Sequence, residues 1–228
     1  MKYTKKEIWQ EQKNDLLSPE ELVYFARKKS PFYKCLYKSF PDIIPFENIP
    51  ILNHRDFWKA HSSTKNTLLT SPIQNGLVLS SGGSTGHPKY SIFSKNEWNT
   101  LIQINAEAFF KSPIESGDRI GNLFHSGNLY GSFIFTTQFL STCKKDFIQL
   151  PIGGQTDQND ILKFALQFNI NVLIGPPSTL LSVATYFKKS KNKFILNQIN
   201  KLFYAGQFLP ENQRKYLISI FPYAQIFS

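Results

Sequence analysis

From Leu77 to Lys89 the chain reads Leu-Val-Leu-Ser-Ser-Gly-Gly-Ser-Thr-Gly-His-Pro-Lys, an apolar run followed by three glycines, four hydroxyl side chains and a lysine. Gly82, Gly83 and Gly86 allow backbone N–H groups to turn toward a ligand with no Cβ in the way. Ser80, Ser81, Ser84 and Thr85 add donors, and Lys89 adds a cation. Convergent donors with one positive charge suit the oxygens of a polyphosphate. Spacing narrows the kind of loop. A Walker loop requires a second glycine where this chain has His87. The dinucleotide fingerprint fails as well, because the glycines do not give G-x-G-x-x-G and Pro88, Tyr90, Ile92 and Phe93 read as a strand, not the required helix. A bare hairpin turn would use about two to five residues. What remains is strand, Ser/Thr-Gly-rich loop closed by Pro-Lys, strand.

Other chemistry-bearing residues are scattered. Cys35 and Cys143 lie far apart without a partner motif, and His54, His61, His87 and His125 have no metal-ligand spacing around them, so no transition-metal site is expected. The net charge of +10 is spread in short groups such as Arg27-Lys28-Lys29 and Lys144-Lys145. With no basic stripe interleaved with aromatics, it reads as solvated surface and argues against a nucleic-acid partner. No window approaches the ~18 uninterrupted apolar residues of a membrane span. The first residues, Met1-Lys2-Tyr3-Thr4-Lys5-Lys6-Glu7, lack an apolar signal core, so a cytoplasmic protein is expected.

The loop has to be held by a scaffold, and the periodicity describes one. Residues 1–76 read as a helical N-terminal segment. Within it Ser18-Pro19-Glu20-Glu21 starts a helix, Ser30-Pro31 starts a second and Asn53 caps a third. Residues 77–228 alternate short apolar runs with amphipathic ones. Strands are predicted at 77–80, 89–94, 119–124, 146–151, 171–174, 200–205 and 224–227, and helices at 95–111, 129–141, 158–168, 177–189 and 210–220. Such alternation predicts an α/β fold with a largely parallel, helix-covered sheet whose ligands collect at the loops after the strands.

With the loops placed in this way, the chain resembles the adenylate-forming (AMP-binding) enzymes, in particular the phenylacetate-CoA ligase branch. The phosphate loop is the specific motif. Ser30-Pro31-Phe32-Tyr33, Ile49-Pro50-Ile51-Leu52, Phe124-His125-Ser126-Gly127-Asn128-Leu129-Tyr130-Gly131, Pro151-Ile152-Gly153-Gly154, Ile174-Gly175-Pro176-Pro177-Ser178 and Tyr204-Ala205-Gly206-Gln207-Phe208-Leu209 follow in that family's order.

The resemblance implies that Ser81, Gly82, Gly83, Ser84, Thr85, Gly86 and Lys89 surround the ATP phosphates. It puts His125 at the edge of the acyl pocket, with a strand-end histidine satisfied by backbone as the alternative. Ala205, Gly206 and Gln207 would lie against adenine, or else form a plain strand-to-helix turn. Tyr130, Gly131 and Phe133 could line the acyl pocket, but residues at such spacing are more often core, and they are not put forward as site residues. The implied reaction activates a small carboxylic acid with ATP and Mg2+ as an acyl-adenylate, then transfers it to coenzyme A. A carrier-protein or enzyme thiol is the alternative acceptor, and a non-catalytic nucleotide-binding remnant the alternative role. In the family the strand matching Ala224-Gln225-Ile226-Phe227-Ser228 runs into Tyr-Gly-x-Thr/Ser-Glu, whose Glu holds magnesium, followed later by a C-terminal domain with a catalytic lysine. The expectation is therefore an N-terminal piece of a longer ligase or a truncated product, binding ATP weakly by itself.

Overall fold

The computed structural model describes residues 17–61, 66–81 and 89–228. The chain divides into two compact units, Met1–Gln74 and Asn75–Ser228.

In the first unit, α1 (Pro19–Lys29) begins with a capping box: the Glu21 N–H donates to Ser18 Oγ and the Ser18 N–H to Glu21 Oε2, which satisfies two otherwise orphaned donors. Ser30 ends α1 and starts α2 (Pro31–Leu36), and its buried hydroxyl also donates to the Thr67 carbonyl. A 3-10 turn at Phe46–Asn48 and α3 (His54–His61) complete the described part. Phe32 packs edge-on against Tyr33 and Phe57, and Tyr33 stacks on Tyr37.

The second unit opens with β1 (Gly76–Ser80) and β2 (Tyr90–Ser94), paired antiparallel from Gly76 with Ser94 to Ser80 with Tyr90. This two-stranded ribbon stands apart from the main sheet, a separation that the alternation pattern did not reveal. Gly76 has φ +144°, and a Cβ there would stand 2.0 Å from the Phe93 carbonyl oxygen, so only glycine lets the ribbon close at this end. Ser94 then caps α4 (Lys95–Phe110) through a second capping box with Glu97.

There follow β3 (Arg119–Asn122), α5 (Gly131–Thr142), β4 (Ile148–Pro151), α6 (Gln158–Gln167), β5 (Val172–Gly175), α7 (Pro177–Lys189), α8 (Lys193–Gln198), β6 (Lys201–Tyr204), α9 (Glu211–Ile220) and β7 (Gln225–Phe227). The five strands β3 to β7 pair in parallel in the order β4-β3-β5-β6-β7. The α/β class with a parallel, helix-covered sheet is therefore observed. The order reverses between β3 and β5, and a sheet of this kind leaves a crevice beyond the carboxyl ends of those two strands.

Alternation along β5 assigns the faces. Leu173 packs into a core with residues of α6, α7, α8 and α9, while Val172 and Ile174 face a second core built from α4 and α5. A strand buried on both faces reads as an unbroken apolar run, as Val172-Leu173-Ile174 does. Each large side chain buried here contributes about 1.5–3 kcal/mol. α8 was not expected from the sequence; it is six residues long, capped by Asn192, and buries Ile195.

The amino edge of the sheet is closed by charge. Lys201, at the start of β6, donates to Asp118 Oδ2 at 2.8 Å and to Glu115 Oε2 at 2.7 Å, with Lys201 and Asp118 both buried. Asn171 donates to Asp118 Oδ1 at 2.7 Å and accepts from the Arg119 N–H, so the network joins the entries of β3, β5 and β6. Burial alone would push the Asp118 carboxyl up, but hydrogen bonds from the Glu115 N–H, Lys201 and Asn171 outweigh it and hold the group below its ordinary value. Burial works against the Lys201 ammonium too, and its two carboxylate partners overcome it, so its pKa is raised.

Candidate functional site

The phosphate-loop candidates Gly82, Gly83, Ser84, Thr85 and Gly86 lie outside the described residues; Ser81 and Lys89, at the two ends of the loop, are described. These two close it by a pair of hydrogen bonds. The Ser81 N–H donates to the Lys89 carbonyl at 2.8 Å, and the Lys89 N–H donates to Ser81 Oγ at 3.1 Å. Ser81 and Lys89 are thereby fixed to each other as a neck, with Lys89 half-buried.

The ribbon is tied to the segment between β3 and α5 beside that neck. The Ser80 N–H donates to the Leu129 carbonyl at 2.8 Å, and Ser80 forms a parallel bridge with Tyr130. The loop after β3, which carries His125, is thereby joined to the residue that precedes the Ser81–Lys89 neck. A buried asparagine sets how this loop leaves its strand: Asn122 Oδ1 accepts from the Phe124 N–H, and its Nδ2 donates to the Phe133 carbonyl and Thr137 Oγ1 on α5.

Beyond β3 and β4 the backbones stay paired. The Gly153 N–H donates to the Asn122 carbonyl and the Gly154 N–H to the Phe124 carbonyl, each at 2.9 Å. The half-buried His125 ring lies over Gly154, where a Cβ would stand 3.3 Å from its Cε1 and Nδ1 and 2.4 Å from the Leu123 carbonyl oxygen. The loop then turns through three successive left-handed residues, Gly127, Asn128 and Leu129, with φ of +82°, +48° and +61°. Asparagine adopts this region at modest cost, but leucine does so only under constraint. This turn also explains why α5 begins at Gly131, two residues after the start expected at 129.

Ala205, Gly206 and Gln207 follow β6 at the same carboxyl edge and are exposed. Gly206 has φ +81° with nothing within 4 Å of a Cβ position, so conformation and not crowding selects glycine there. Gln207 Oε1 accepts from the Ser178 N–H at 3.2 Å. That donor is the one α7 leaves over at its start, since Pro176 and Pro177 have no N–H and the Thr179 N–H bonds the Pro176 carbonyl. The turn after β6 is so fastened to the helix after β5.

The Ser81–Lys89 neck is thus joined to the loop that carries His125, while the 205–207 turn follows β6, two strands from β3 at the same carboxyl edge, and is fastened to the start of α7. Gln155, Asn122 and Ser178 were not foreseen as participants; a carboxamide directly after the Gly153-Gly154 pair was the one available signal for Gln155. No aspartate or glutamate occurs in residues 123–130, 151–156 or 204–210, and among the described residues no group of three or more His, Cys, Asp or Glu side chains could hold a metal. These loops therefore do not fit a protein-held magnesium ion. Nor is any described helix long and apolar enough to cross a membrane.

No family model and no curated protein matches the sequence. Solved structures do match in fold. An open conformation of 2-hydroxyisobutyryl-CoA ligase in complex with 2-HIB-AMP and CoA superposes with a TM-score of 0.73 at 14% identity, over 91% of this chain and 46% of the ligase. The same ligase in the postadenylation state with 2-HIB-AMP gives 0.72 at 14% identity, over 91% and 45%. The chain therefore has the fold of the part of that adenylate-forming ligase it covers, and it spans less than half the ligase's length.

Proposed function

We propose that this chain forms the ATP-binding and acid-binding part of an AMP-forming acid–thiol ligase. The observation that carries the reading is the joining of the Ser81–Lys89 neck to the His125 loop by the Ser80–Leu129 hydrogen bond, at the crevice of an open parallel sheet. That joining supports a candidate phosphate loop and a candidate acyl-pocket loop acting at one edge. The substrate's carboxylate oxygen attacks the α-phosphorus of ATP; the bond to the bridging oxygen breaks, and pyrophosphate leaves as the acyl-adenylate forms. Loop N–H groups and hydroxyls with the Lys89 ammonium hold the departing phosphates, so the protein acts by positioning and by balancing charge. His125 and Gly154 border the acid, and the exposed 205–207 turn offers backbone to the adenine face. Magnesium would neutralise phosphate charge when bound with the nucleotide; none of the steps given to these residues runs through it.

The ligase with this fold binds an acyl-adenylate and coenzyme A, which supports coenzyme A as the acceptor thiol. The motif order of the phenylacetate-CoA ligase branch supports a small aryl acid, and the bound 2-HIB-AMP of the ligase with this fold supports a small branched one. Carboxylate-dependent exchange of labelled pyrophosphate into ATP by the full-length gene product tests the reading, with phenylacetate and 2-hydroxyisobutyrate among the acids. Exchange that requires an acid and is lost in Lys89→Ala is expected. Absence of exchange across aryl, branched and fatty acids would remove the enzyme reading.

A further inference from the structure

We propose that Gln155 is a positioning residue for the acid side of this site, an inference that rests on the adenylation reading. Its carboxamide makes two bonds to one residue: Gln155 Oε1 accepts from the Ser126 N–H at 3.1 Å, and Gln155 Nε2 donates to the Ser126 carbonyl at 2.9 Å. A side chain so placed takes the part of a strand neighbour. It extends the ladder begun by Gly153 with Asn122 and Gly154 with Phe124 by one more step, past the point where backbone pairing has stopped.

What the clamp holds is the costly stretch of this edge. Directly after Ser126 come the left-handed residues 127–129, and at their far end the Leu129 carbonyl is held by the Ser80 N–H. Inside the turn, the Tyr130 N–H donates to the Gly127 carbonyl. Left-handed Leu129 persists where its surroundings over-determine it, and the two outer anchors are Gln155 on the β4 side and Ser80 on the ribbon side. His125 sits immediately before the first anchor, with its ring over Gly154. Loss of the Gln155 anchor lets residues 126–129 relax and frees His125 from Gly154. The neck at Ser81 and Lys89 has its own hydrogen bonds and keeps them. The acid side is therefore expected to loosen while the phosphate side stays intact.

The test uses Gln155→Ala and Gln155→Glu, with Gln198→Ala as a comparison, because Gln198 makes a similar double clamp to the Ala165 and Ile170 carbonyls. In the chain itself, Gln155→Ala is expected to lose the nuclear Overhauser contact between the His125 Hε1 and Gly154 Hα protons. It should also speed hydrogen exchange at the Ser126 amide by about tenfold, the factor given by one lost hydrogen bond. Gly153 and Gly154 keep their protection. Gln155→Glu keeps an acceptor for the Ser126 N–H but sets a second acceptor against the Ser126 carbonyl, so protection at Ser126 should fall less than in Gln155→Ala. Gln198→Ala leaves both signals unchanged. In pyrophosphate exchange by the full-length product, Gln155→Ala should raise the KM for the acid about tenfold and move that for ATP less than about twofold.

Persistence of the His125–Gly154 contact and of Ser126 protection in Gln155→Ala would overturn the proposal. So would equal rises in the two KM values, which would make Gln155 a general structural residue. If the unaltered protein exchanges with no acid, the adenylation reading falls by itself, and the contact and amide measurements still decide whether Gln155 holds the loop.

Discussion

The two edges of one parallel sheet are built by opposite rules. At the amino edge, Asp118, Lys201, Glu115 and Asn171 lock the entries of three strands with short charged hydrogen bonds, and the two central partners are buried. At the carboxyl edge, left-handed turns follow His125 and run through Gly206, and the loops are held by single carboxamides and backbone donors. Charge that is buried and fully paired fixes strands in place but leaves nothing free for a ligand. Glycine-rich loops leave donors free and need anchoring from neighbours. The strands themselves serve both ends, so rigidity at one edge positions the loops at the other.

Breaking the amino edge should have the largest effect on stability and little on binding. Asp118→Ala strips the buried Lys201 of its one buried carboxylate partner and is expected to cost about 3–5 kcal/mol in urea unfolding. Replacing both partners with apolar residues, Asp118→Leu with Lys201→Met, should recover most of that loss, because no charge is then stranded. Ligand affinity of any variant that remains folded should be unchanged.

Breaking the carboxyl edge should do the reverse. In Gly154→Ala the new methyl group meets the Leu123 carbonyl oxygen at 2.4 Å and the His125 ring at 3.3 Å. The backbone has to move, at a cost of roughly 1–3 kcal/mol, and acid-dependent pyrophosphate exchange should be lost in a protein that still unfolds cooperatively.

Acid sharpens the same contrast. Asp118 has its folded pKa lowered from an ordinary 3.8, so its contribution is present above that value and is lost as pH falls through the folded pKa. Lys201 has its pKa raised from 10.5, so its contribution is complete below that value and is lost only as pH rises through the folded pKa. Urea midpoints should thus be level across neutral pH and fall in acid, and Asp118→Asn should flatten the acid limb. The smallest change is expected at neither edge. Lys163 and Asp160 pair at 3.0 Å on the exposed face of α6, and Asp160→Ala should shift stability by less than about 0.5 kcal/mol.

The sequence made the carboxyl edge far more legible than the amino edge. Strands with apolar runs, the caps at Ser18 and Ser94, and the Gly-Pro-Pro break after β5 are local signals. Each defines an element or a loop without reference to distant residues. Lys201 and Asp118 stand 83 residues apart, and no local pattern announces their pairing. The ribbon formed by β1 and β2 was read as two strands, but a strand's partner is a tertiary choice that alternation does not encode. The left-handed run at Asn128 and Leu129 was missed for a related reason: leucine has no intrinsic preference for that conformation, and the anchors that impose it lie at Ser80 and Gln155. Asn122 drew no notice in the sequence, because its partners on α5 stand beside it only in the fold.

Hydrogen exchange of the chain with and without saturating ATP tests the division of labour most directly. ATP should slow exchange at Ser81, Lys89, residues 123–130 and residues 204–207, and leave Glu115, Asp118, Asn171 and Lys201 as they were. Protection centred on the amino edge, or none at Ser81 and Lys89, would contradict the assignment of the site to the carboxyl edge.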